Sequence, residues 1–253
     1  MKQAGQQCPA YFAYHFLWSA LDWLYPPVCG GCNEPGERWC ASCQQEGKIE
    51  GALCPLCGEP QANNQVCGQC LAQPPTFQAL RSYGWHRGPL RNAILRMKYK
   101  DDIGLGEALS KHLIDLYNDV KWEVDLIAAV PLSRSRHKER GYNQAGLLAR
   151  PMAYAIQKPY RPGILVRKLE TRSQVGLNAH QRHDNVKDAF EAVADQVRGK
   201  VILVIDDVTT TGSTIGACAQ ALHLAGASAV FGMTLTRAIL QADADDWPPL
   251  TLS

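Results

Sequence analysis

Four cysteine pairs near the start of the chain have the spacing of a metal-binding module. In each pair two residues separate the cysteines, and the pairs fall in residues 29–75, a segment rich in Gly, Gln and Pro. Two thiolates of one tight turn can face a single ion, and two such turns supply the sulfur tetrahedron that Zn²⁺ prefers. The expected zinc ligands are Cys29, Cys32, Cys40, Cys43, Cys54, Cys57, Cys67 and Cys70.

Eight ligands predict two closed, structural zinc sites with no open position for catalysis. Sequential pairing, the first pair with the second and the third with the fourth, is the preferred arrangement; spacing does not exclude an interleaved cross-brace. A redox or disulfide role is the other interpretation, and four evenly built pairs in a reducing compartment disfavour it. Because the segment has so little apolar material, we expect the metal to supply its folding free energy.

A second group of chemically active residues follows an apolar run, Lys200–Ile205. Two acids end the run, a hydroxyl-rich turn comes next, and a helical pattern then begins. Parallel sheets bind ligands at the carboxyl ends of their strands, and a helix N-terminus offers unpaired N–H groups to phosphate. The acids suit vicinal hydroxyl groups or Mg²⁺, and Gly212 lets the backbone approach a phosphate. The expected ligand-binding residues are Asp206, Asp207, Thr209, Thr210, Thr211, Gly212, Ser213 and Thr214.

Two other interpretations of this segment are weaker. A strand ending in two aspartates also resembles the Walker B element of ATPases, but such enzymes need a Gly-x-x-x-x-Gly-Lys-Ser/Thr loop. The Gly-Lys pairs at Gly47 and Gly199 lack the upstream glycine and the following hydroxyl, which excludes an ATPase. An ordinary capped helix after a strand would not need two acids and five hydroxyl residues within positions 206–214.

The surrounding pattern predicts the elements that must position these residues. Apolar runs at 125–130, 164–168, 200–205 and 229–235 predict strands, and helical patterns cover 142–156 and 213–225. Continuous apolar strands that alternate with helices indicate an α/β fold, a parallel sheet covered on both faces. We therefore expect an N-terminal amphipathic helix at 1–28, a double zinc module at 29–75 and an α/β domain at 76–253.

Composition narrows the class of protein only a little. The chain has 253 residues, is 46% hydrophobic and carries a net charge of +2, so its overall charge calls for no acidic partner. The basic residues of 81–100 could form a nucleic-acid surface or an ordinary solvated face. The apolar stretch at 11–25 contains His15 and Asp22 and is too short to span a bilayer. Without an export signal, the expectation is a cytoplasmic protein with no membrane partner.

The motifs together resemble a known family. The strand, the acidic pair and Thr-Thr-Gly-Ser-Thr at 210–214 resemble the phosphoribosyl pyrophosphate (PRPP) motif of type I phosphoribosyltransferases. The cysteine pairs, Val130-Pro-Leu132, Arg140-Gly-Tyr-Asn-Gln144 and Thr171-Arg-Ser-Gln174 followed by Asn185 resemble the ComF/GntX-like branch. The resemblance covers about residues 26–237.

This resemblance implies a set of roles. Asp206 and Asp207 would contact the ribose hydroxyl groups with Mg²⁺ nearby, the turn would hold the 5′-phosphate, and Thr171–Asn185 would close over the site as a hood. The implied pyrophosphate loop, residues 131–141, contains Pro131, Leu132, Ser133, Arg134 and Arg140. Its basic groups, which also include Arg136, His137 and Lys138, could hold pyrophosphate or form an ordinary solvated turn. Thr210 stands where purine-salvage relatives have a carboxylate, which argues against purine salvage and leaves the catalytic residue unassigned.

Two functions from different classes remain open at this point. The first is a PRPP-binding phosphoribosyltransferase, which would bind PRPP or a related phosphorylated ribose and transfer the phosphoribosyl group to an unknown acceptor. The second, which the family's association with competence and DNA uptake implies, is a non-catalytic protein that binds single-stranded DNA or a competence helicase. In that interpretation the zinc module and the basic residues of 81–100 would make the contacts.

Overall fold

A computed structural model of the chain describes residues 26–168 and 189–238, together with the isolated positions 9, 16, 22 and 23. Most of the predicted N-terminal helix and all of the Thr171–Asn185 segment lie outside the described residues. The described chain begins with two cysteine modules, the first at residues 29–43 and the second at residues 54–70. A short helix contributes to each module, α1 (Ala41–Gln44) in the first and α2 (Gly68–Ala72) in the second.

An α/β unit follows the modules. Its elements in chain order are β1 (Ala79–Trp85), α3 (Gly88–Tyr99), α4 (Leu105–Val120), β2 (Leu126–Ala129), α5 (Arg134–Arg140), α6 (Gln144–Ala155), β3 (Leu165–Arg167), β4 (Phe190–Ala192), α7 (Ala194–Val197), β5 (Val201–Thr209), α8 (Ser213–Leu224) and β6 (Ala229–Arg237). The main sheet has the order β1-β6-β5-β2, and every neighbouring pair in it is parallel. The predicted fold class is confirmed.

Side chains of the central strand alternate between two cores. Leu203 and Ile205 point into a core shared with α3, α4 and α6, whereas Ile202 and Val204 point into a core shared with α8. Because successive residues of a strand face opposite sides, a strand covered on both faces must be apolar throughout. This is why the run at 201–205 is almost continuously β-branched.

Three features differ from the sequence-based expectation. The strand predicted at 164–168 is β3, which pairs antiparallel with β4 in a separate two-stranded sheet. Strand β5 continues to Thr209, so the two acids lie within the strand and not after it. The predicted loop at 131–141 contains helix α5, which begins because the Ser133 hydroxyl accepts a hydrogen bond from the Arg136 N–H at 3.3 Å.

Both cysteine modules pack on the α/β unit. Cys29, Trp39 and Cys43 of the first module belong to the same core as α3 and α4. The second module lies beside β1, where the Leu80 N–H donates to the Leu56 carbonyl at 2.7 Å. None of the helices in the described ranges is long and apolar enough to cross a membrane.

Candidate functional site

Each cysteine module brings four sulfur atoms together. Within each group all the Sγ atoms lie within 4.8 Å of one another. Sulfur–sulfur distances are 3.6 Å for Cys29–Cys43 and 3.7 Å for Cys32–Cys40 and for Cys57–Cys67. A zinc ion at about 2.3 Å from each of four sulfurs requires sulfurs about 3.8 Å apart, so both modules fit tetrahedral zinc. The grouping is sequential, as preferred from the sequence, and the cross-brace is wrong.

The first cysteine of each module, Cys29 or Cys54, has a lowered pKa that favours the thiolate. Burial raises the pKa of Cys29, but backbone N–H groups, among them those of Cys40 and Gly31, outweigh it and lower the pKa to about 6. The Cys67 N–H donates to the Cys54 sulfur at 3.4 Å, and backbone donors again outweigh burial, which gives Cys54 a pKa of about 6. Zinc binds thiolates, so the lowered pKa values of Cys29 and Cys54 favour the metal. Burial and neighbouring thiols raise the pKa of Cys43, Cys57 and Cys70, which would lose their protons to bind the metal.

The acidic pair of β5 lies in a cavity of about 540 Å³, here called the aspartate cavity. Its wall contains four basic side chains, which come from α3, α5 and β3. The charged residues that line it are Lys98, Arg136, Glu139, Arg140, Arg167, Asp206 and Asp207. The ammonium group of Lys98 pairs with the Asp207 carboxylate at 2.6 Å. The cavity therefore presents three acids, two of them adjacent in β5, together with four cations.

Burial governs the electrostatics of the acidic pair. It raises the pKa of Asp206 well above its ordinary value, and the neighbouring charge of Asp207 raises it further. The Asp207 N–H, which donates to the Asp206 carboxylate at 2.9 Å, and the charge of Lys98 act in the opposite direction. Without a bound cation, the site thus resists holding two negative charges.

The structure brings together most of the residues predicted for the pyrophosphate loop. Pro131, Leu132, Ser133 and Arg140 line the aspartate cavity. Arg134 does not line it: the residue is exposed at the start of α5. Arg136 and Arg140 are four residues apart, about one turn of helix α5. Both side chains therefore reach the cavity from the same face of the helix.

The predicted turn residues divide between two cavities. Thr214 lines the aspartate cavity. The others line a neighbouring cavity of about 330 Å³, here called the turn cavity, whose opposite wall is the second cysteine module; they are Thr210, Thr211, Gly212 and Ser213. Thr209 is buried in β5 and is not part of either lining.

Gly212 is required by the backbone of the turn. Its φ of +82° lies in the left-handed region, which residues with a Cβ rarely adopt. A Cβ built there would lie 3.1 Å from the Leu80 side chain and 3.3 Å from the Phe77 ring. A larger side chain at 212 would therefore strain the turn and press on these two residues, a different cause from the steric exclusion of phosphate that the sequence suggests.

The Arg-Gly-Tyr-Asn-Gln motif fixes the wall of the aspartate cavity. The Tyr142 hydroxyl donates to the Met97 carbonyl at 2.6 Å, which ties α3 to the motif next to Lys98. The Asn143 side chain caps α6, accepting from the Ala145 N–H at 3.1 Å. Its amide group also donates to the Val130 carbonyl at 2.9 Å, which holds the end of β2.

Three members of the motif line the cavity itself: Arg140, Asn143 and Gln144. The Arg140 guanidinium lies 5.0 Å from the centre of the Tyr99 ring, a cation–π contact at the rim. Gln144 is buried, and its amide nitrogen has no hydrogen-bond partner within the described part of the chain. A buried donor of this kind is available to a ligand.

The basic stretch of 81–100 is largely engaged within the protein. Arg81 donates to carbonyl groups of the second cysteine module, and Arg96 donates to the Cys29 carbonyl at 3.2 Å and pairs with Asp102 at 2.6 Å. Arg91 and Lys100 are exposed. The stretch is therefore mainly a set of anchors and only in part an open cationic surface.

Sequence reasoning missed two basic residues of the aspartate cavity, Lys98 and Arg167. Lys98 was visible only as one of several basic residues of 81–100, and nothing in its spacing showed that it reaches β5. Arg167 ends a predicted strand, but the sequence pattern did not show that this strand leaves the main sheet and lies over the acids. Both depend on contacts between segments far apart in the chain.

Comparison with known proteins agrees with this architecture. A family model described as double zinc ribbon domain matches residues 20–71. The DNA utilization protein YhgH of Escherichia coli (strain K12) is 32% identical over 224 residues, covering 85% of this chain and 98% of that protein. Competence protein F of Haemophilus influenzae is 32% identical over 207 residues, covering 79% of this chain and 90% of that protein.

A solved structure is similar over part of the chain. It is the glutamine PRPP amidotransferase of Bacillus subtilis, complexed with ADP and GMP, at 23% identity and a TM-score of 0.37, covering 51% of this chain and 26% of that one. The parallel sheet and the two tetracysteine groups define an α/β protein that carries a double zinc ribbon. Its long matches to curated relatives identify it further: the chain belongs to the ComF/GntX family.

Proposed function

We propose that the chain binds PRPP, together with Mg²⁺, in the aspartate cavity. One observation carries the proposal: the adjacent carboxylates of Asp206 and Asp207 share one cavity with four cationic side chains drawn from three elements, and a third acid, Glu139, also lines it. Carboxylates accept hydrogen bonds from vicinal hydroxyl groups, and clustered cations bind phosphate groups. A ribose that carries phosphate at two positions satisfies both halves of the cavity.

Each part of such a ligand has a partner in the site. Asp206 and Asp207 would accept from the ribose hydroxyl groups. The 5′-phosphate would bind at the turn before α8, where the first N–H groups of a twelve-residue helix have no helical partner. Arg136 and Arg140 would hold the pyrophosphate, with the Lys98 ammonium placed between it and Asp207.

The same two acids are the residues that would hold Mg²⁺. Their side chains offer oxygen ligands, which this ion prefers. Burial and then repulsion by Asp207 raise the pKa of Asp206, and a divalent cation would relieve that repulsion. When bound, the ion supplies positive charge that neutralises the pyrophosphate.

Phosphoribosyl transfer to an acceptor is the reaction that this cavity would serve. The bond between C1 of the ribose and the pyrophosphate oxygen would break, its electron pair would leave with the pyrophosphate, and the acceptor would form the new bond to C1. Arg136, Arg140 and Lys98 would stabilise the leaving charge. Thr210 is not a base at neutral pH, so an acceptor that must lose a proton would give it to another group.

Isothermal titration of the protein with PRPP and Mg²⁺ tests the binding step. We expect binding of one PRPP per chain that needs Mg²⁺, with ribose 5-phosphate or pyrophosphate alone bound more weakly. Heat release with pyrophosphate equal to that with PRPP would reduce the site to a general phosphate-binding surface. An absence of binding to PRPP at millimolar concentration would refute the proposal.

A second candidate function is binding of single-stranded DNA. The observation that favours it is the pair of relatives named as a DNA utilization protein and a competence protein. The exposed cations Arg91 and Lys100 are the sensible ones to replace, because Arg96 and Lys98 have structural partners. If these residues contact DNA, replacing both with alanine weakens binding and flattens its dependence on salt concentration, whereas unchanged affinity and slope assign them to a solvated surface.

A further inference from the structure

Arg237, the last residue of β6, contacts two functional elements at once. Its side chain is buried, with a residue exposure of 2%. One guanidinium nitrogen donates to the Glu59 carboxylate at 2.8 Å and to the Thr210 carbonyl at 3.2 Å, and another donates to the Cys57 carbonyl. The partners thus belong to the second cysteine module on one side and to the turn before α8 on the other.

The contact with Cys57 is direct, because Cys57 is itself one of the four clustered cysteines. A metal bound by its sulfur fixes the backbone whose carbonyl receives the Arg237 hydrogen bond. The same loop is held from the other side, since a Cβ on Gly58 would lie 2.5 Å from the Leu80 carbonyl oxygen. The loop therefore has little room to move without displacing the arginine.

The contact between Arg237 and Cys57 lies at the wall of the turn cavity. Cys57, Arg237 and the turn residues Thr210–Ser213 line it together. A buried guanidinium that lost its carbonyl partners would destabilise the fold. If the second module or the turn moves, we therefore expect Arg237 to move with it. Displacement of the Cys57 loop would then alter the position of the Thr210 carbonyl and the N–H groups that follow it.

We propose that Arg237 is a positioning residue that couples zinc in the second cysteine module to the phosphate-binding conformation of the turn. The proposal rests on the function proposed above for its ligand side. Coupling between two sites is reciprocal: metal in the second module raises the affinity of the turn for phosphate, and phosphate at the turn raises the affinity of the module for that metal by the same free energy.

The chain contains a matched control. Arg81 also donates to carbonyl groups of the second module, those of Cys54 at 3.4 Å and Pro55 at 3.2 Å, but within the described ranges none of its hydrogen bonds reaches the turn. The first module provides a second comparison, because its anchors are Asn92 and Arg96 of α3.

The first experiment needs no ligand and measures amide hydrogen exchange of the peptide containing 210–214, in zinc-loaded protein. We expect Arg237→Gln to speed exchange there about fivefold or more, Arg81→Gln to leave it unchanged, and Cys57→Ser to act like Arg237→Gln. Cys32→Ser, which disrupts the first module, should leave this peptide unchanged. Equal exchange in Arg237→Gln and the parent would overturn the proposal, as would an equal effect of Arg81→Gln.

The second experiment measures, at equilibrium, how zinc divides between the protein and a chromophoric chelator, with and without PRPP and Mg²⁺. In Cys32→Ser protein, where the second module holds the zinc, ligand should tighten zinc binding about fivefold or more, and addition of Arg237→Gln should remove this effect. A ligand that binds without tightening zinc binding contradicts the coupling. If PRPP does not bind at all, the proposed function fails, and the exchange experiment still decides the role of Arg237. Should Arg237→Gln not fold, Arg237→Lys, which keeps the charge but cannot bridge both sides, replaces it.

Discussion

The two adjacent carboxylates of β5 lower the stability of the unliganded protein, and a bound ligand would offset this loss. Two adjacent carboxylates repel each other, and burial increases the cost of charging both. Lys98 offsets part of this cost through its ion pair with Asp207. Such perturbed acids in a cavity are typical of functional sites, which sacrifice some stability for binding.

We predict that the double variant Asp206→Asn with Asp207→Asn loses PRPP binding but keeps its fold. The amides cannot replace charged acceptors, and hydrogen bonds to charged groups contribute roughly 1.5–3 kcal/mol each. Titration calorimetry beside a melting curve separates the outcomes. A variant that binds like the parent would show that the site is assigned wrongly, and one that unfolds would show that the acids are structural.

The single variant Asp206→Asn should become more stable relative to the parent as pH rises. The folded pKa of Asp206 is raised, so above the unfolded value the native state retains a proton that the unfolded chain has lost. The stability of the parent therefore falls as pH increases from about 4 toward the folded pKa. Melting temperatures of variant and parent should diverge in favour of the variant as pH rises above about 4; parallel curves would contradict the raised pKa.

A buried histidine should make the protein acid-sensitive. His112 stacks on Tyr83 with ring centres 4.1 Å apart, and burial, aided by Lys111 and Lys48, lowers its pKa to about 4. Because the unfolded pKa is near 6.5, stability present above that pH is lost as pH falls toward 4. His112→Phe should reduce the loss between pH 7 and pH 5 by on the order of 2 kcal/mol. Melting curves at each pH, compared with the parent, check this, and an unchanged slope would contradict it.

Residue types and local spacing predicted the site wherever the chemistry was contiguous in sequence. The eight cysteines fall in this class, because each pair lies within one tight turn. The residues of 206–214 are also contiguous, but they line two cavities and Thr209 lines neither, so their role as one ligand site stays a prediction. Lys98 and Arg167 do not fall in this class: their approach to the acids depends on the packing of α3 and β3, which no local pattern specifies. Arg134 shows the opposite error. It was expected to bind pyrophosphate, but it is exposed outside the cavity because the predicted loop forms helix α5.

At the scale of elements, the strongest periodic segments were predicted well. Strands β2, β5 and β6 and helices α6 and α8 lie within a few residues of their predicted bounds. Strand β1 was missed because Arg81, Ser82 and Gly84 interrupt its apolar residues, although the strand is mostly buried. Its Ser82 hydroxyl is satisfied across the sheet by Thr234 at 2.7 Å, a pairing that only the folded structure provides.

The two cysteine modules should each hold zinc without the other. Their sulfur groups are separate, and each has its own backbone donors to its first cysteine. We predict about two zinc ions per chain, falling to about one in Cys43→Ser and to about one in Cys70→Ser. Elemental analysis of protein purified without added metal measures this. A parent value near zero with oxidised thiols would exclude zinc, and loss of both ions from either variant would contradict independence.

Across the whole molecule, the modules are joined to the α/β unit at two different places. The first lies on α3 and α4, where a Cβ on Gly30 would collide with the Leu105 side chain. The second lies on β1 and the end of β6, held by Arg81 and Arg237. The boundary expected at residue 75 therefore divides the sequence by composition, while the hydrophobic core continues across it.

This continuity predicts that the fragment 76–253 is much less stable than the full chain. Removal of both modules would expose core residues such as Leu90 and Leu105. It would also take the Cys29 carbonyl from Arg96 and the Cys57 carbonyl from Arg237. A loss of at least about 3 kcal/mol follows from the apolar area and hydrogen bonds involved, equivalent to about 6–12 °C in melting temperature. Circular dichroism melts of fragment and full chain measure the difference.

A strong zinc chelator distinguishes a shared core from two independent domains. If metal organises the modules and the modules complete the core, chelation should lower the single melting transition of the full chain toward that of the fragment, because the cysteine segment cannot keep its packed form without metal. The fragment, which lacks all eight paired cysteines, serves as the control and should not respond. A full chain whose main transition is unchanged by chelation, or a fragment as stable as the parent, would show that the α/β unit folds alone and that the modules are attached to a finished core.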